Sequence, residues 1–555
     1  MTEAFRAGAG AGGDPEERRL RAALARNLVD FRHLLARARR AAAEGRDERA
    51  AVLCEAAAAF AMANHCGLFS SPELERLVTT LGRRLERPAA PHGPPRPEPT
   101  EVLHVCTEAG AVGGSTRMAW RWIAQDRGRR HSVALTRQDG APLPAPLVAA
   151  VLASGGAIHR LDGAGLLARA RQLAALGREA DVAVLHTEQD AVPLLAFADP
   201  ARSPPILFVD HGDHKFRLGL SAATAVASMR ESGQRLARRR RDVDPARNPL
   251  LPTLLEEAPE VGPQIEARRA LGLPAGARIL LSIARGAKFG APGGPNFAEL
   301  HRPVLEADPE AILVVVGAGP RPDWQDAVRR TGGRIVALDE RPDTGLFYDA
   351  ADIYVDSFPF VSITSLLEAG SRGLPLVSCF PHAPEAEIFG ADMPGLTGCL
   401  RRAGNWPEYH AILGSLLADG AERRALGLRT RASIAAAHTG QGWQTALEHA
   451  YAVAAREHGP FRAPRPDDAP AFDPVDLVVP QVCLQGHAPE QAIAQQLRIY
   501  PLTARLRLWL ALAGAAGASS GCGARLARST LACFLPPAAL ARLRRLTARR
   551  RRAEA

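Results

Sequence analysis

The stretch DIYVDSFPFVSITSLLEAGSRGLPLVS, from Asp352 to Ser378, decides the reading of the chain. Its apolar, β-branched opening (Ile353, Tyr354, Val355) reads as a buried strand of a parallel sheet. Asp356 to Val361 form a loop with one proline, and Ser362 is a good helix N-cap. Ile363 to Arg372 carry helical periodicity until Gly373 stops it, and Leu374 to Ser378 is the next strand. Such a strand–loop–helix–strand unit opens its helix N-terminus at the carboxyl edge of the sheet, where α/β folds bind ligands. Amides freed at that helix start, with the hydroxyls of Ser362, Thr364 and Ser365, suit a phosphate. Glu368 lies one turn beyond Thr364 on the same face, placed to accept hydrogen bonds from sugar hydroxyls.

Around this unit the strand signal recurs. Ile279–Ile283 leads into Ala284-Arg-Gly-Ala-Lys-Phe289, Ile312–Val316 ends in a tight turn at Gly317, and Arg334–Leu338 is a further strand. Phe347–Ala351 reads as a short helix before the opening motif. Upstream, Val102–Cys106, Ser132–Thr136, Ala157–Leu161, Val182–His186 and Ile206–Asp210 alternate with helical stretches, the pattern of a doubly wound parallel sheet. The turn after the first of these strands holds Gly113, Gly114 and Ser115, where backbone can approach an anion. Two strands run into titratable words, His186-Thr-Glu-Gln-Asp190 and Asp210-His-Gly-Asp-His-Lys215. Strand-end His and Asp residues serve as bases or substrate ligands. No metal is expected: His211, Asp213 and His214 are too short a word to specify one. Asp242-Val-Asp244 follows a run of arginines rather than a strand and reads as solvated loop.

The flanks are helical. Residues 16–87 show helical periodicity broken near Gly45 and at Gly67–Pro72, a hairpin plus a third helix, and six prolines between Pro88 and Pro99 make a stiff linker. Asp242 to Pro263 is irregular, as expected of a crossing between domains. Trp406–Asp419 and Glu422–Tyr451 read as helices, Pro460–Pro474 as a second linker, and the remainder as helical with a basic end at Arg542–Arg552. The expected division is 1–87, helical; 88–100, linker; 101–265, first Rossmann-like domain; 266–456, second; 457–474, linker; and 475–555, helical and basic.

With 555 residues there is room for several cores, and a net charge of +10 favours anionic partners. Sparse aromatics, 5% of the chain, and the absence of basic–aromatic interleaving argue against nucleic acid. Eight cysteines without CxxC or zinc spacing fit a reduced, cytoplasmic protein. The N-terminus has no signal-peptide pattern, and the basic C-terminus suggests peripheral contact with an anionic membrane face. Arginine supplies nearly all positive charge, so Lys215 and Lys288, the only lysines, stand out, each before a phenylalanine and each in a word already singled out. An ammonium meets phosphate as a compact point charge.

The segment LEAGSRGLPLV, Leu367–Val377, resembles the "LEAxAxGxPVV" nucleotide-sugar motif of GT-B glycosyltransferases, and DSFPF with the Ser/Thr-rich helix start is similar to their O-GlcNAc-transferase-like branch. The resemblance is strongest over about 278–400. It implies two Rossmann-like domains facing a cleft, with transfer of a sugar from a nucleotide-diphosphate donor to a glycan, lipid or protein acceptor and no separate cofactor. It further implies that Glu368 binds the nucleotide ribose and the helix start the diphosphate, with Arg285 and Lys288 neutralising it. His211, with Asp210, His214 and Lys215 as alternatives, would contact the sugar or deprotonate the acceptor. Many retaining members carry a second glutamate eight residues before the first; that position is Phe360 here. A nucleotide-sugar epimerase of the same fold and a non-catalytic scaffold with a degenerate pocket stay open as alternatives.

Overall fold

The computed structural model describes residues 15–86, 91–110, 114–138, 140–257, 262–290, 296–341, 343–459, 472–482 and 486–514. Three helices open the chain: α1 (Pro15–Ala43), α2 (Asp47–Ala63) and α3 (Pro72–Arg83). The first sheet unit comprises β1 (Glu101–Cys106), α4 (Gly114–Gln125), β2 (Arg130–Leu135), α5 (Ala145–Ala153), β3 (Ile158–Arg160) and α6 (Leu166–Gly177). It continues with β4 (Val182–Leu185), α7 (Ala191–Ala196), β5 (Ile206–Val209), β6 (Ala225–Ala227) and α8 (Glu231–Arg241). The second comprises α9 (Gln264–Ala270), β7 (Arg278–Ile283), α10 (Phe297–Ala307), β8 (Ala311–Val316), α11 (Gln325–Arg330), β9 (Ile335–Leu338) and α12 (Thr344–Ala350). It ends with β10 (Ile353–Val355), α13 (Thr364–Ser371), β11 (Leu376–Cys379), β12 (Leu400–Ala403), α14 (Trp406–Ala418) and α15 (Gly420–His438). Then follow α16 (Gly440–Arg456), α17 (Pro474–Val482), α18 (Pro489–Gln496) and α19 (Leu502–Gly514).

The strand orders are β3-β2-β1-β4-β5-β6 and β12-β11-β10-β7-β8-β9. The strands of both sheets pair in parallel. Each sheet reverses its winding once, between β1 and β4 and between β7 and β10, and a crevice opens at the carboxyl ends of strands on either side of such a reversal. The chain has the GT-B fold, two Rossmann-like domains in contact with one another.

Two edge strands escaped the sequence reading. The short β6 and β12 have no apolar run long enough to announce them; β12 is LRRA, paired to β11 only through its backbone register. The expected helix 422–451 is two helices, divided where Thr439 is extended and Gly440 adopts a φ of +48°. The second of them, α16, leaves the second domain and lays Trp443, Leu447 and Tyr451 against Val102, Trp122 and Val209 of the first.

The terminal helices are not appendages. Helix α2 is buried from Ala50 to Ala61 and shares one core with Leu103 and Val105 of β1 and with α6, α7 and α18. Helix α17 returns to the other end of the chain, where Asp476 meets His65 at 2.7 Å in full burial and also pairs with Arg240. Among the described residues no helix is long and apolar enough to cross a membrane. The basic stretch Arg542–Arg552 lies outside the described residues.

Candidate active site

On the second domain the site is built at the β7/β10 switch. Tyr354, pointing up from β10, places its hydroxyl 3.1 Å from the Ile283 carbonyl and 2.9 Å from Ser362 Oγ, tying the two loops together. Asp356 Oδ1 accepts from the amides of Ser357 and Ser362 and from Ser362 Oγ at 2.7–2.9 Å. Burial raises the Asp356 pKa, opposed by the Ser362 hydrogen bonds and by Lys288. Ser362 is therefore not the expected N-cap: its side chain turns back into the loop, and Ile363 occupies the cap with φ +53° and ψ −86°. A β-branched residue with positive φ costs about 1–3 kcal/mol, and such strain is held only where surrounding bonds impose it. It starts α13 abruptly at Thr364, so the first-turn amides of the helix open at the sheet edge. Thr364 and Ser365 lie half-buried on that turn.

Lys288 reaches the same loop. Its Nζ donates to the Val361 carbonyl at 2.7 Å and stands 4.3 Å from the centre of the Phe360 ring. Arg285, at the end of β7, is exposed. Gly317, at the end of β8, has φ +90°, and a Cβ there would fall 2.2 Å from the Ala284 carbonyl, so the β7 and β8 loops can touch only through glycine. Glu368 points out of α13 towards the first domain. Its Oε1 lies 3.4 Å from Arg117 and 3.3 Å from Arg121, both on α4, and its Oε2 lies 3.4 Å from the Tyr348 hydroxyl. Gly114 and Ser115 begin α4 and are exposed; Gly113 lies outside the described residues.

The first domain contributes the loop after β5, which is braced by ion pairs. Asp210 is enclosed by Arg217 at 2.7 Å and Arg241 at 2.5 Å, all three buried. Expected as an alternative base, it is instead the anchor of the loop. Asp213 holds Arg230 through two bonds of 2.7 and 2.9 Å, and Arg230, with His214, keeps its carboxyl below the usual range against the pull of burial. Arg230 also donates to the carbonyls of Ile388 and Gly390, linking the two domains. Lys215 stands 3.5 Å from Glu188, whose carboxyl is held down to about 2 by Arg217 and Lys215 despite its burial. His211 is lowered to about 4, first by burial and then by Arg217, so it is a neutral base at pH 7. Asp242 and Asp244 are exposed at the end of α8, where Asp244 caps the next turn.

The two halves meet at Phe360. Its ring lies 4.8 Å from His214 of the first domain and, on the second, 4.3 Å from Lys288 Nζ. The position that carries the second glutamate in many retaining GT-B enzymes is thus an aromatic wedge between a histidine and an ammonium. His211 is joined to a row that sequence inspection only touched at His186. His186 Nδ1 is 3.0 Å from His211 Nε2, His104 Nδ1 3.0 Å from His186 Nε2, and His131 Nδ1 3.0 Å from His104 Nε2. His104, in the middle of the buried word EVLHVC, was the available signal, since a polar ring inside an apolar strand needs a partner.

No family model and no curated protein matches the chain. Among solved structures it is similar to a mutant of Thermobaculum terrenum O-GlcNAc transferase, at 17% identity over 73% of this chain and 78% of that one, TM-score 0.44. It is similar to Anabaena HepE in complex with UDP and glucose, at 14% identity over 63% and 98%, TM-score 0.47. A glycosyltransferase from Rickettsia africae aligns at 11% identity over 63% and 98%, TM-score 0.49.

Proposed function

We propose that the protein transfers a sugar from a nucleoside diphosphate sugar to an acceptor hydroxyl or amine on a glycan, lipid or protein. One observation carries the reading: Phe360 sits between Lys288 and His214, so the anion-ready start of α13 and the loop of His211 face each other across one aromatic ring. The diphosphate would lie on the first turn of α13, with Lys288 and Arg285 beside it. As the bond to the sugar breaks, charge grows on the departing phosphate, and preorganised amides and cations oppose that charge more strongly in the transition state than before it. Glu368 would exchange Arg117 and Arg121 for the ribose hydroxyls. The acceptor loses its proton to His211, whose ring is neutral at pH 7 and whose Nδ1 makes no hydrogen bond among the described residues. Lys215 would touch the acceptor side. Asp210 and Asp213, consumed by arginines, hold this loop in place.

The test is a panel of UDP-, GDP- and dTDP-sugars screened by thermal stabilisation, the stabilising one then being assayed for turnover with and without acceptors. Transfer to an added acceptor supports the reading. Conversion of the donor with no acceptor present would make the protein an epimerase, and stabilisation by none of the panel would leave the scaffold reading standing.

A further inference from the structure

The four histidines lie on or just past four adjacent strands, His131 in β2, His104 in β1, His186 one residue beyond β4 and His211 two beyond β5, and the row climbs two residues at each step. His104 is opposite Val133 and Val184, so His131 stands two places below it and His186 two above. From β4 to β5 the register Leu185–Phe208 puts His211 two places higher again. Steps of two keep all four rings on one face of the sheet. They run diagonally from the amino end of β2 to the carboxyl end of β5.

Their hydrogen bonds have a direction. His131 Nε2 is 3.0 Å from the backbone carbonyl of Asp126. A carbonyl only accepts, so that nitrogen carries the proton, and in a neutral ring Nδ1 is then bare. The bare Nδ1 must accept from His104 Nε2, which leaves His104 Nδ1 to accept from His186 Nε2, and His186 Nδ1 to accept from His211 Nε2. A single carbonyl at the far end thereby sets every tautomer, and His211 is left with its lone pair on Nδ1. That nitrogen makes no hydrogen bond among the described residues.

We infer that the four rings form a proton relay between His211 in the cleft and the His131–Asp126 pair at the opposite end of the sheet. The inference rests on the glycosyl-transfer reading for the source of the proton, the acceptor's O–H or N–H. That proton bonds to His211 Nδ1. The Nε2 proton of His211 passes to His186 Nδ1, that of His186 to His104 Nδ1, and that of His104 to His131 Nδ1. The positive charge comes to rest on His131, which keeps its Nε2 proton on the Asp126 carbonyl and lies 3.5 Å from the Asp126 carboxylate. Once the product has left, the reverse hops return the proton to His211 and to solvent and restore every tautomer with no ring turning.

Burial lowers the pKa of all four rings, but carboxylates oppose that lowering only at the ends. His211 faces Arg217 but also Glu188, Asp210 and Asp213, and His131 faces Arg129 but also Asp126 and Glu101. The middle rings, His104 and His186, are held well below the ordinary imidazole range by burial and by their histidine neighbours, so they pass charge without keeping it. Trp122 packs edge-on against both, and its indole N–H is tied to the Tyr451 hydroxyl, which in turn donates to Asp126. Relay through the row takes the charge away from Arg217.

Two measurements test this on the intact chain. Long-range proton–nitrogen spectra of ligand-free, ¹⁵N-histidine-labelled protein at pH 7 should show all four rings protonated on Nε2; either middle ring protonated on Nδ1 overturns the relay. Kinetics with the panel sugar that is turned over then compare His186→Asn and His131→Gln. The asparagine oxygen still accepts from His211, and the glutamine amide still donates to Asp126, but neither passes a proton on. Each should lower kcat at least tenfold with KM within twofold, within the range usual for general-base steps. A His131→Gln enzyme with wild-type kcat means that the row only positions His211, and overturns the relay. If wild-type protein turns over no sugar nucleotide, the glycosyl-transfer reading falls, and the relay is judged by the His211 titration: His131→Gln must move its midpoint by at least half a pH unit, and an unmoved midpoint refutes it.

Discussion

Replacing Glu368 by alanine isolates the ribose contact from the rest of the cleft. Alanine is the best helix former, so α13 should survive the change. In the ligand-free protein the Glu368 carboxylate already has partners, at 3.3 and 3.4 Å from Arg121 and Arg117, with side-chain exposures of 21% for Glu368, 10% for Arg121 and 38% for Arg117. Contacts that long to a carboxylate that solvent still reaches are worth about 0–1 kcal/mol. Hydrogen bonds from ribose hydroxyls to a carboxylate are worth about 1.5–3 kcal/mol. The nucleotide must displace the first set to gain the second; subtracting about 0.5 kcal/mol, the middle of the first range, leaves a net loss of roughly 1–2.5 kcal/mol for Glu368→Ala. At about 1.4 kcal/mol per decade, Kd rises about five- to sixtyfold. Calorimetry with the nucleoside diphosphate that stabilises the wild type measures it, with circular dichroism confirming the fold. Arg121→Met is the matching control: removing a competitor should leave affinity unchanged or tighten it by no more than about fivefold. A folded Glu368→Ala protein with Kd within twofold of wild type refutes the ribose assignment.

The two lysines should fail differently: Lys288→Ala weakens nucleotide binding and slows transfer together, whereas Lys215→Ala spares binary affinity and lowers turnover. The opposite pattern, read by calorimetry beside a turnover assay, would exchange the donor and acceptor halves. Because Lys288, Arg285 and backbone amides are assigned to the diphosphate, EDTA-treated protein should keep its turnover; loss restored only by magnesium or manganese would overturn that assignment. Arg230→Met strands Asp213 in a buried site and should destabilise the protein by about 3–5 kcal/mol at pH 7 in urea unfolding. In the wild type the folded Asp213 pKa is depressed, so its contribution is present above the ordinary carboxylate range and lost as pH falls through the folded value. In the variant the stranded carboxyl is raised instead, so the difference between the two proteins should shrink from pH 7 towards pH 4, and a pH-independent difference would refute the mechanism.

The alternation of strands and helices was legible because apolar runs and helical periodicity are local. The fold of the segment that resembles the donor motif was legible in the same way: Gly370 and Gly373 fall where α13 must approach α15 and then end, as a Cβ on Gly370 would meet Ile434 at 2.4 Å and Gly373 has φ +84°. Lys288 and Glu368 could be named because their places follow from the ends of recognisable elements. Ser362 could not be read correctly, since its preference for an N-cap lost to Asp356 and Tyr354, which the loop brings within 2.9 Å of it. Asp210 looked like a base because its two arginine partners come from the loop beyond it and from α8.

By itself, then, the sequence determined the two parallel sheets, their order along the chain and the loop that opens α13, because strand, helix and turn preferences are set by near neighbours. Tertiary structure decided what those elements hold. The terminal helices join the first core, Phe360 becomes the wedge between domains, and four histidines scattered from His104 to His211 become one row. That row exists only once β2, β1, β4 and β5 lie side by side in their registers, since strand order and register depend on packing between segments far apart in the chain.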